Sequence, residues 1–339
     1  MKVLSLFDGM SCGQIALQKA GIIYSDYFAS EIEKAPMQVA KANFPNMHHI
    51  GDVRLLNVPE NLQIDLLIGG SPCQSFSFAG KRNGMTTKCE LEIKTLGEYL
   101  KLKEEGFEFE GQSYLFWEYM RLAYQAKPKW FLLENVIMDA KWEAIISEAL
   151  NCKPVFINSN SVSAQNRKRL YWTNIPFDAS FAEKESELQL GHIIEEENID
   201  FQLTSTIEFK KLKAQLEQTF IDGLLFEHIE KNVWTERVFK KDRNTLAYRK
   251  LFSQLKSLFD KSNCLTTSGQ NFSNSGSTNI VFITKEGKLN IRPLNPTECE
   301  RLQTVPDGYT KGVSRNKRIA MLGNGWTVDI IANIFKGIS

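Results

Sequence analysis

The chain has 339 residues, 42% of them hydrophobic, and a formal net charge of +1. That length accommodates one large domain and a smaller one. The near-neutral charge neither requires nor excludes nucleic acid, because a binding surface can be a local basic patch. No apolar run approaches the roughly 20 residues of a membrane span, and Met1 to Phe7 is too short an apolar stretch for a signal peptide. A soluble, cytoplasmic protein is expected. Cys12, Cys73, Cys89, Cys152, Cys264 and Cys299 form no C-x-x-C pair, so neither a zinc site nor any other metal is expected, and reduced thiols are the default.

The first 175 residues read as alternating strands and helices. Strands are predicted at Lys2–Phe7, Tyr24–Ser30, Met47–Val53, Ile64–Ile68, Trp130–Leu133, Phe156–Ser159 and Leu170–Thr173. A helix from about Gly13 to Ala20 follows the first strand. Such alternation predicts a mainly parallel sheet covered by helices on both faces. Ligands then bind beyond the carboxyl ends of the strands. Asp8, Glu31, Asp52, Ser71-Pro72-Cys73 and Glu134-Asn135 fall at those ends. A charged stretch, Lys81 to Gly111, interrupts the domain, and Leu91 to Lys103 within it has the spacing of a short amphipathic helix. From Phe177 to Asn290 the alternation fades into charged helical stretches (Phe209–Gln218, Arg249–Asp260) and a Ser/Asn/Gly/Thr-rich run at Thr266–Asn279. Order returns with helices at Pro296–Gln303 and Trp326–Phe335.

Four clusters carry chemistry. The turn Phe7-Asp8-Gly9-Met10-Ser11-Cys12-Gly13 follows a strand and opens a helix, and its glycines let the backbone approach a ligand. It lacks the full G-x-G-x-x-G of a dinucleotide site. Glu31 can accept from ribose hydroxyls and Asp52 from an adenine amino group. S-adenosylmethionine, which carries adenosine without phosphate, suits this set; a tight structural turn is the other reading. Next, Cys73 follows a strand and a Gly-Gly-Ser-Pro bend that puts its thiol at a loop tip, where a stabilised thiolate is a strong nucleophile. Third, Glu134 ends an apolar strand, where a carboxyl tends to stay protonated and can donate to a ring nitrogen; the other reading is a surface glutamate. Last, Gln165, Arg167 and Arg169 alternate on an extended segment, so one face presents them to a base or a phosphate, or else to solvent.

These blocks resemble the ordered motifs of the DNA (cytosine-5) methyltransferase family. The resemblance rests on Phe7-Asp8-Gly9, Gly70-Ser71-Pro72-Cys73-Gln74, Glu134-Asn135-Val136 and Gln165-x-Arg167-x-Arg169. It continues through Arg292-Pro293-Leu294 with Glu298-Cys299-x-Arg301-Leu302-Gln303, and Gly323-Asn324-Gly325-Trp326-x-Val328. Phe-Asp-Gly, Ser30-Glu31 and Gly51-Asp52-Val53-Arg54 look closest to the animal de novo enzymes; the last block is similar to bacterial and phage modification enzymes, except that Gly325 and Trp326 replace a small-then-aliphatic pair.

The resemblance implies an α/β, Rossmann-like S-adenosylmethionine-dependent methyltransferase sheet with a second, smaller target-recognition domain. It divides the chain into residues 1–176, completed by 318–339, and 177–317. It implies methyl transfer to C5 of a flipped-out cytosine in double-stranded DNA, by a monomer in a bacterial or phage-infected cell. Cys73, Glu134, Arg167 and Arg169 would be catalytic. Phe7, Asp8, Gly9, Ser11, Cys12, Gly13, Glu31, Ile32, Asp52, Val53, Gly70, Pro72, Leu115, Asn324 and Trp326 would surround the cofactor. Gln74, Ser75, Lys81, Arg82 and Gln165 would meet DNA. The rival readings are a transfer-RNA enzyme of the same family and an inactive DNA-binding regulator. Leu265-Thr266-Thr267 resembles the Thr-Leu-type element of target domains.

Overall fold

The computed structural model describes residues 1–72, 84–195, 255–256, 260–267, 279–285 and 288–338. The expected helices at 209–218 and 249–260, and the loop 266–279, lie wholly or mostly outside them. The chain divides into two compact units, one of Met1–Asn158, Lys168–Lys184 and Gly325–Ser339, the other of Ser159–Arg167 and Glu185–Asn324.

The first unit is built on a seven-stranded sheet of order β3-β2-β1-β4-β5-β7-β6. Its strands are β1 (Lys2–Leu6), β2 (Asp26–Ser30), β3 (His48–His49), β4 (Leu66–Gly69), β5 (Trp130–Val136), β6 (Val155–Asn158) and β7 (Lys168–Thr173). All the pairings are parallel except those of β7, which runs against both β5 and β6. Helices α1 (Cys12–Lys19), α2 (Lys34–Asn43), α3 (Leu96–Glu104), α4 (Phe116–Ala126) and α5 (Ala140–Leu150) belong to the same unit. The β1 and β4 strands are buried apolar runs, as strands covered on both faces must be. Between β1 and β4 the strand order reverses, which opens a crevice at their carboxyl ends.

Two elements differ from expectation. The third strand is only His48–His49, because Gly51 takes φ +83° and turns the chain out of the sheet. The Asp52 carboxylate then accepts the Arg54 N–H and starts a 3₁₀ turn at Val53–Leu55. The fifth strand runs on to Val136, because β7 pairs with Leu132 to Val136 along its length. Glu134 therefore lies inside a strand rather than at its end. The amphipathic helix expected around 91–103 is α3, started by a capping box of Thr95 and Glu98.

The second unit has a three-stranded sheet of β8 (Leu255–Lys256), β9 (Ile280–Lys285) and β10 (Lys288–Pro293), with α6 (Pro296–Leu302) and α7 (Arg315–Asn324). Leu190, Leu265, Val281, Leu294, Cys299, Leu302, Ile319 and Leu322 are buried in it. Helix α8 (Val328–Phe335) belongs to the first unit, where it packs along α1. No helix among the described residues is long and apolar enough to cross a membrane.

Gly323 packs α7 directly on backbone. A Cβ there would lie 2.4 Å from the Thr266 carbonyl carbon and 2.8 Å from the Thr267 nitrogen. Backbone cannot swing aside as a side chain can. Gly323→Ala is expected to destabilise the protein by about 1–3 kcal/mol, seen as a lower urea midpoint; an unchanged midpoint would mean that this contact is loose.

Candidate functional site

At the end of β1 the chain turns with Phe7 at φ 57°, Gly9 at φ 60° and Ser11 at φ 63°. Phe7 and Ser11 are not glycines, so the turn is strained and something must hold it. Asp8 does so. Its Oδ1 accepts hydroxyls from Ser5 and Tyr27, both at 2.6 Å, and its Oδ2 accepts Ser11 Oγ. Its N–H donates to the Ser30 carbonyl of β2 at 3.0 Å. Burial raises the Asp8 carboxyl to about 6, while the Ser11, Ser5 and Tyr27 hydroxyls pull the other way. Asp8 is thus the hub that fixes the turn, with its carboxylate engaged by the protein. Sequence reasoning named Ser11 but missed Ser5 and Tyr27, whose only signal is their place on β1 and β2.

Cys12 and Gly13 open α1 and are buried. A Cβ on Gly13 would stand 2.5 Å from Ile68 Cδ1 and 2.7 Å from the Tyr27 hydroxyl, so glycine lets α1 sit close on the sheet. Glu31 reaches back across the crevice edge. Its Oε2 accepts the Gly9 N–H at 2.8 Å, and its Oε1 accepts those of Ile32 and Glu33 at 2.7 and 2.8 Å. Its carboxylate is held in place and retains acceptor capacity. Ile32 beside it is 59% exposed, an apolar side chain open to a planar ligand. Asp52 is gripped by Arg54, whose Nε stands 3.0 Å from each carboxylate oxygen; this holds the Asp52 carboxyl below its usual range. Val53 is buried, and Leu115 is half-buried at the N-terminus of α4.

At the end of β4 three expected residues come together. A Cβ on Gly70 would stand 3.0 Å from Trp326 Nε1 and 3.1 Å from Glu134 Oε2. Ser71 and half-buried Pro72 follow, and Asn135 secures them by donating from Nδ2 to the Ser71 carbonyl and hydroxyl at 3.2 and 3.1 Å. Asn135, in the Glu134-Asn135-Val136 block, thus anchors the end of β4. Arg169 on β7 puts its Nε 2.9 Å from Glu134 Oε1. Glu134 therefore meets a cation, and not the wholly apolar surroundings that its strand suggested. Cys73, Gln74, Ser75, Lys81 and Arg82 lie outside the described residues.

Gln165 and Arg167 are placed differently from expectation. Both belong to the second unit and are buried. Gln165 donates from Nε2 to the Leu302 carbonyl and Gln303 Oε1, both at 3.2 Å, and accepts the Leu265 N–H at 2.8 Å. Arg167 donates to the carbonyls of Leu265 and Gly323 at 3.2 and 3.1 Å. Side chains engaged in this way brace backbone rather than face a base or phosphate. The strand β7 begins only at Lys168, so the shared face foreseen for the three residues does not extend back to them. Asn324 is exposed at the end of α7, also in the second unit. Among the described residues no cluster of His, Cys, Asp or Glu could hold a metal.

Known proteins bear on this geometry. The family described as C-5 cytosine-specific DNA methylase matches residues 1–339. The type II methyltransferase M.NgoBV of Neisseria gonorrhoeae is 30% identical over 51% of this chain and 41% of its own length, so the match spans about two fifths of that relative. The orphan methyltransferase M.SPBetaI of Bacillus phage SPbeta is 25% identical over 99% of this chain and 97% of its own. The crystal structure of S. pombe Dnmt2 methyltransferase superposes with a TM-score of 0.61 at 15% identity, covering 99% of this chain and 97% of that one. The fold is a Rossmann-like methyltransferase fold.

The raised Asp8 carboxyl gives a pH dependence with a definite sign. The folded protein holds this proton to about pH 6, against 3.8 for a free carboxyl. The contribution to stability is full below the lower value and is lost as pH rises through about 6. The fall in Tm between pH 5 and pH 7 is expected to be smaller in Asp8→Asn than in the parent; identical slopes would sink this assignment.

Proposed function

The chain belongs to the C-5 cytosine-specific DNA methylase family, and on that premise we propose that it transfers the methyl group of S-adenosylmethionine to C5 of cytosine in double-stranded DNA. The observation that carries the reading is the meeting of Gly70, Glu134 and Trp326 at the carboxyl end of β4, beside the braced turn after β1. A cofactor with adenosine and no phosphate fits these residues. The turn carries no phosphate-binding lysine or full glycine fingerprint, Glu31 keeps lone pairs for ribose hydroxyls, and Ile32 offers an open apolar side chain. When bound, S-adenosylmethionine supplies an electrophilic methyl on its sulfonium.

The protein's own residues would do the rest. Phe7, Gly9, Ser11, Cys12 and Gly13 would line the methionine and ribose, and Asp8 would hold that turn in shape. Asp52 and Val53 would meet the adenine edge, with Leu115, Pro72 and Trp326 completing the pocket. Cytosine C5 is a poor nucleophile. Addition of the Cys73 thiolate to C6 makes C5 electron-rich enough to accept the methyl group. Glu134 would hydrogen-bond N3 and the exocyclic amine of the base, drawing electrons from the ring as the thiolate adds. Arg169, paired with Glu134, would orient that carboxyl and meet the O2 edge. Loss of the C5 proton then expels Cys73. The ring atoms are out of reach inside a duplex, so the base would be flipped out. Gln74, Ser75, Lys81 and Arg82 would contact DNA beside the flipped base, with Gln165 and Arg167 bracing the second unit. That unit would select the target sequence, and the protein would act as a cytoplasmic monomer.

The test is methyl transfer from labelled cofactor to duplex DNA and to transfer RNA. Label on DNA is expected, Cys73→Ala should abolish it, and Glu134→Gln should lower the rate about 10²- to 10⁴-fold. Label on transfer RNA alone would replace the substrate. Equal label with Cys73→Ala would remove the nucleophile.

A further inference from the structure

The stretch from Gly84 to Gly111 has no part in the proposed reaction, yet it is built into the first unit. It folds on itself. The Thr87 N–H donates to the Leu91 carbonyl and the Ile93 N–H to the Met85 carbonyl, both at 2.9 Å, while Lys88 and Glu110 N–H groups bond across to Glu108 and Thr86. Met85, Ile93 and Tyr99 are fully buried. The Tyr99 ring lies 5.1 Å from that of Phe109 and 6.1 Å from that of Tyr114. An inert surface excursion would not place large side chains in the core.

The link onward is one carboxylate. Glu118 on α4 is wholly buried, and both its oxygens are engaged. Oε1 accepts the Tyr99 hydroxyl and the Lys103 ammonium, each at 2.5 Å, both from α3; Oε2 accepts Arg121 Nε at 2.7 Å. A buried carboxylate needs such compensation, because losing its hydration costs several kcal/mol. The same two cations reach further. Arg121 donates to the Val53 carbonyl at 3.1 Å and to Asn57 Oδ1 at 3.2 Å, and Lys103 approaches the Arg54 carbonyl at 3.4 Å. Val53 and Arg54 form the turn that Asp52 caps.

We propose that α3 of this insertion is a positioning arm for the turn Asp52–Leu55, acting through the buried Glu118 carboxylate to fix the adenine side of the cofactor pocket. The proposal rests on the functional reading above. Tyr99 and Lys103 are positioning residues: they touch neither cofactor nor base, and they set where Lys103 and Arg121 hold the carbonyls of the turn. Two unlike cations around one buried acceptor leave the turn little freedom to shift, since moving either one uncovers charge in a dry interior.

Calorimetric titration of the full-length protein with S-adenosylmethionine tests this, without DNA turnover. Lys103→Met and Tyr99→Phe are the variants. Lys103 is 38% exposed and Tyr99→Phe keeps the ring, so both should fold. The expected result is a cofactor Kd weakened about tenfold by Lys103→Met and less by Tyr99→Phe. Affinity for DNA and kcat at saturating cofactor should stay within about twofold of the parent, and Lys103→Arg should restore most of the loss. An unchanged Kd in a Lys103→Met protein of parental Tm overturns the proposal. So does a loss of DNA affinity and kcat in step with Kd, which would mean general loosening. A parent protein that does not bind the cofactor at all would instead overturn the functional reading.

Discussion

The chain leaves β1 and β4 in opposite directions, and the site depends on what happens at those two strand ends. Adjacent parallel strands normally carry their following segments to the same side. Where the order reverses, between β1 and β4, the two following segments diverge and backbone is exposed at the bottom of a crevice. That backbone must stay thin. Gly69 stands where a Cβ would lie 3.0 Å from the Leu6 carbonyl, and Gly70 is bounded by Trp326 and Glu134. It must also be stiff, and glycine cannot supply stiffness. Asp8 stiffens the β1 end through hydroxyls drawn from β1, β2 and the start of α1, while Asn135 stiffens the β4 end from one residue before the end of β5. A floor of small residues braced by polar side chains from neighbouring strands is what a ligand contacting backbone requires.

The alternation of apolar runs and helical spacings made most of the sheet legible in the amino-acid sequence, because buried parallel strands are continuous hydrophobic runs. The misjudged elements share a cause. Met47–Val53 has strand composition, but the positive φ at Gly51 and the capping carboxylate at Asp52 are local devices that end it early. Glu134 looked like the end of a strand because a charge in a strand interior is costly, and the strand tolerates it because Arg169 arrives from β7. That partner is 35 residues distant in the chain and antiparallel, so no window of sequence contains it. Strand alternation does not extend to Gln165 and Arg167, because the strand starts one residue after Arg167.

Buried charge is handled consistently across both units. Asp8 is compensated by hydroxyls, Glu118 by two cations and a phenol, and Glu300 by Thr310, the Gly308 and Thr310 N–H groups and Arg318. Lys261 reverses the arrangement, with its ammonium donating to carbonyls of Asn160, Ser163 and Ser186. The kind of compensation decides what each group can do. Burial with no cation at hand displaces the Asp8 carboxyl upward to about 6, although its hydroxyl donors pull the other way. Cations hold a carboxylate in one direction, which suits a brace.

The division into two units falls inside two of the motifs that prompted the functional reading. Gln165-Asn166-Arg167 belongs to the second unit and Lys168-Arg169 to the first; Gly323-Asn324 belongs to the second and Gly325-Trp326 to the first. A motif that reads in sequence as one binding surface is therefore two jobs joined at a crossing point. On one side of the first crossing, Arg167 ties the Leu265 and Gly323 carbonyls together; on the other, Arg169 meets Glu134. On one side of the second crossing, Gly323 admits the Thr266 backbone; on the other, Trp326 bounds Gly70. Residues that brace a crossing are as restricted in type as residues that touch a substrate, because a buried guanidinium or a missing Cβ admits few replacements. Packing alone therefore accounts for Arg167 and Gly323.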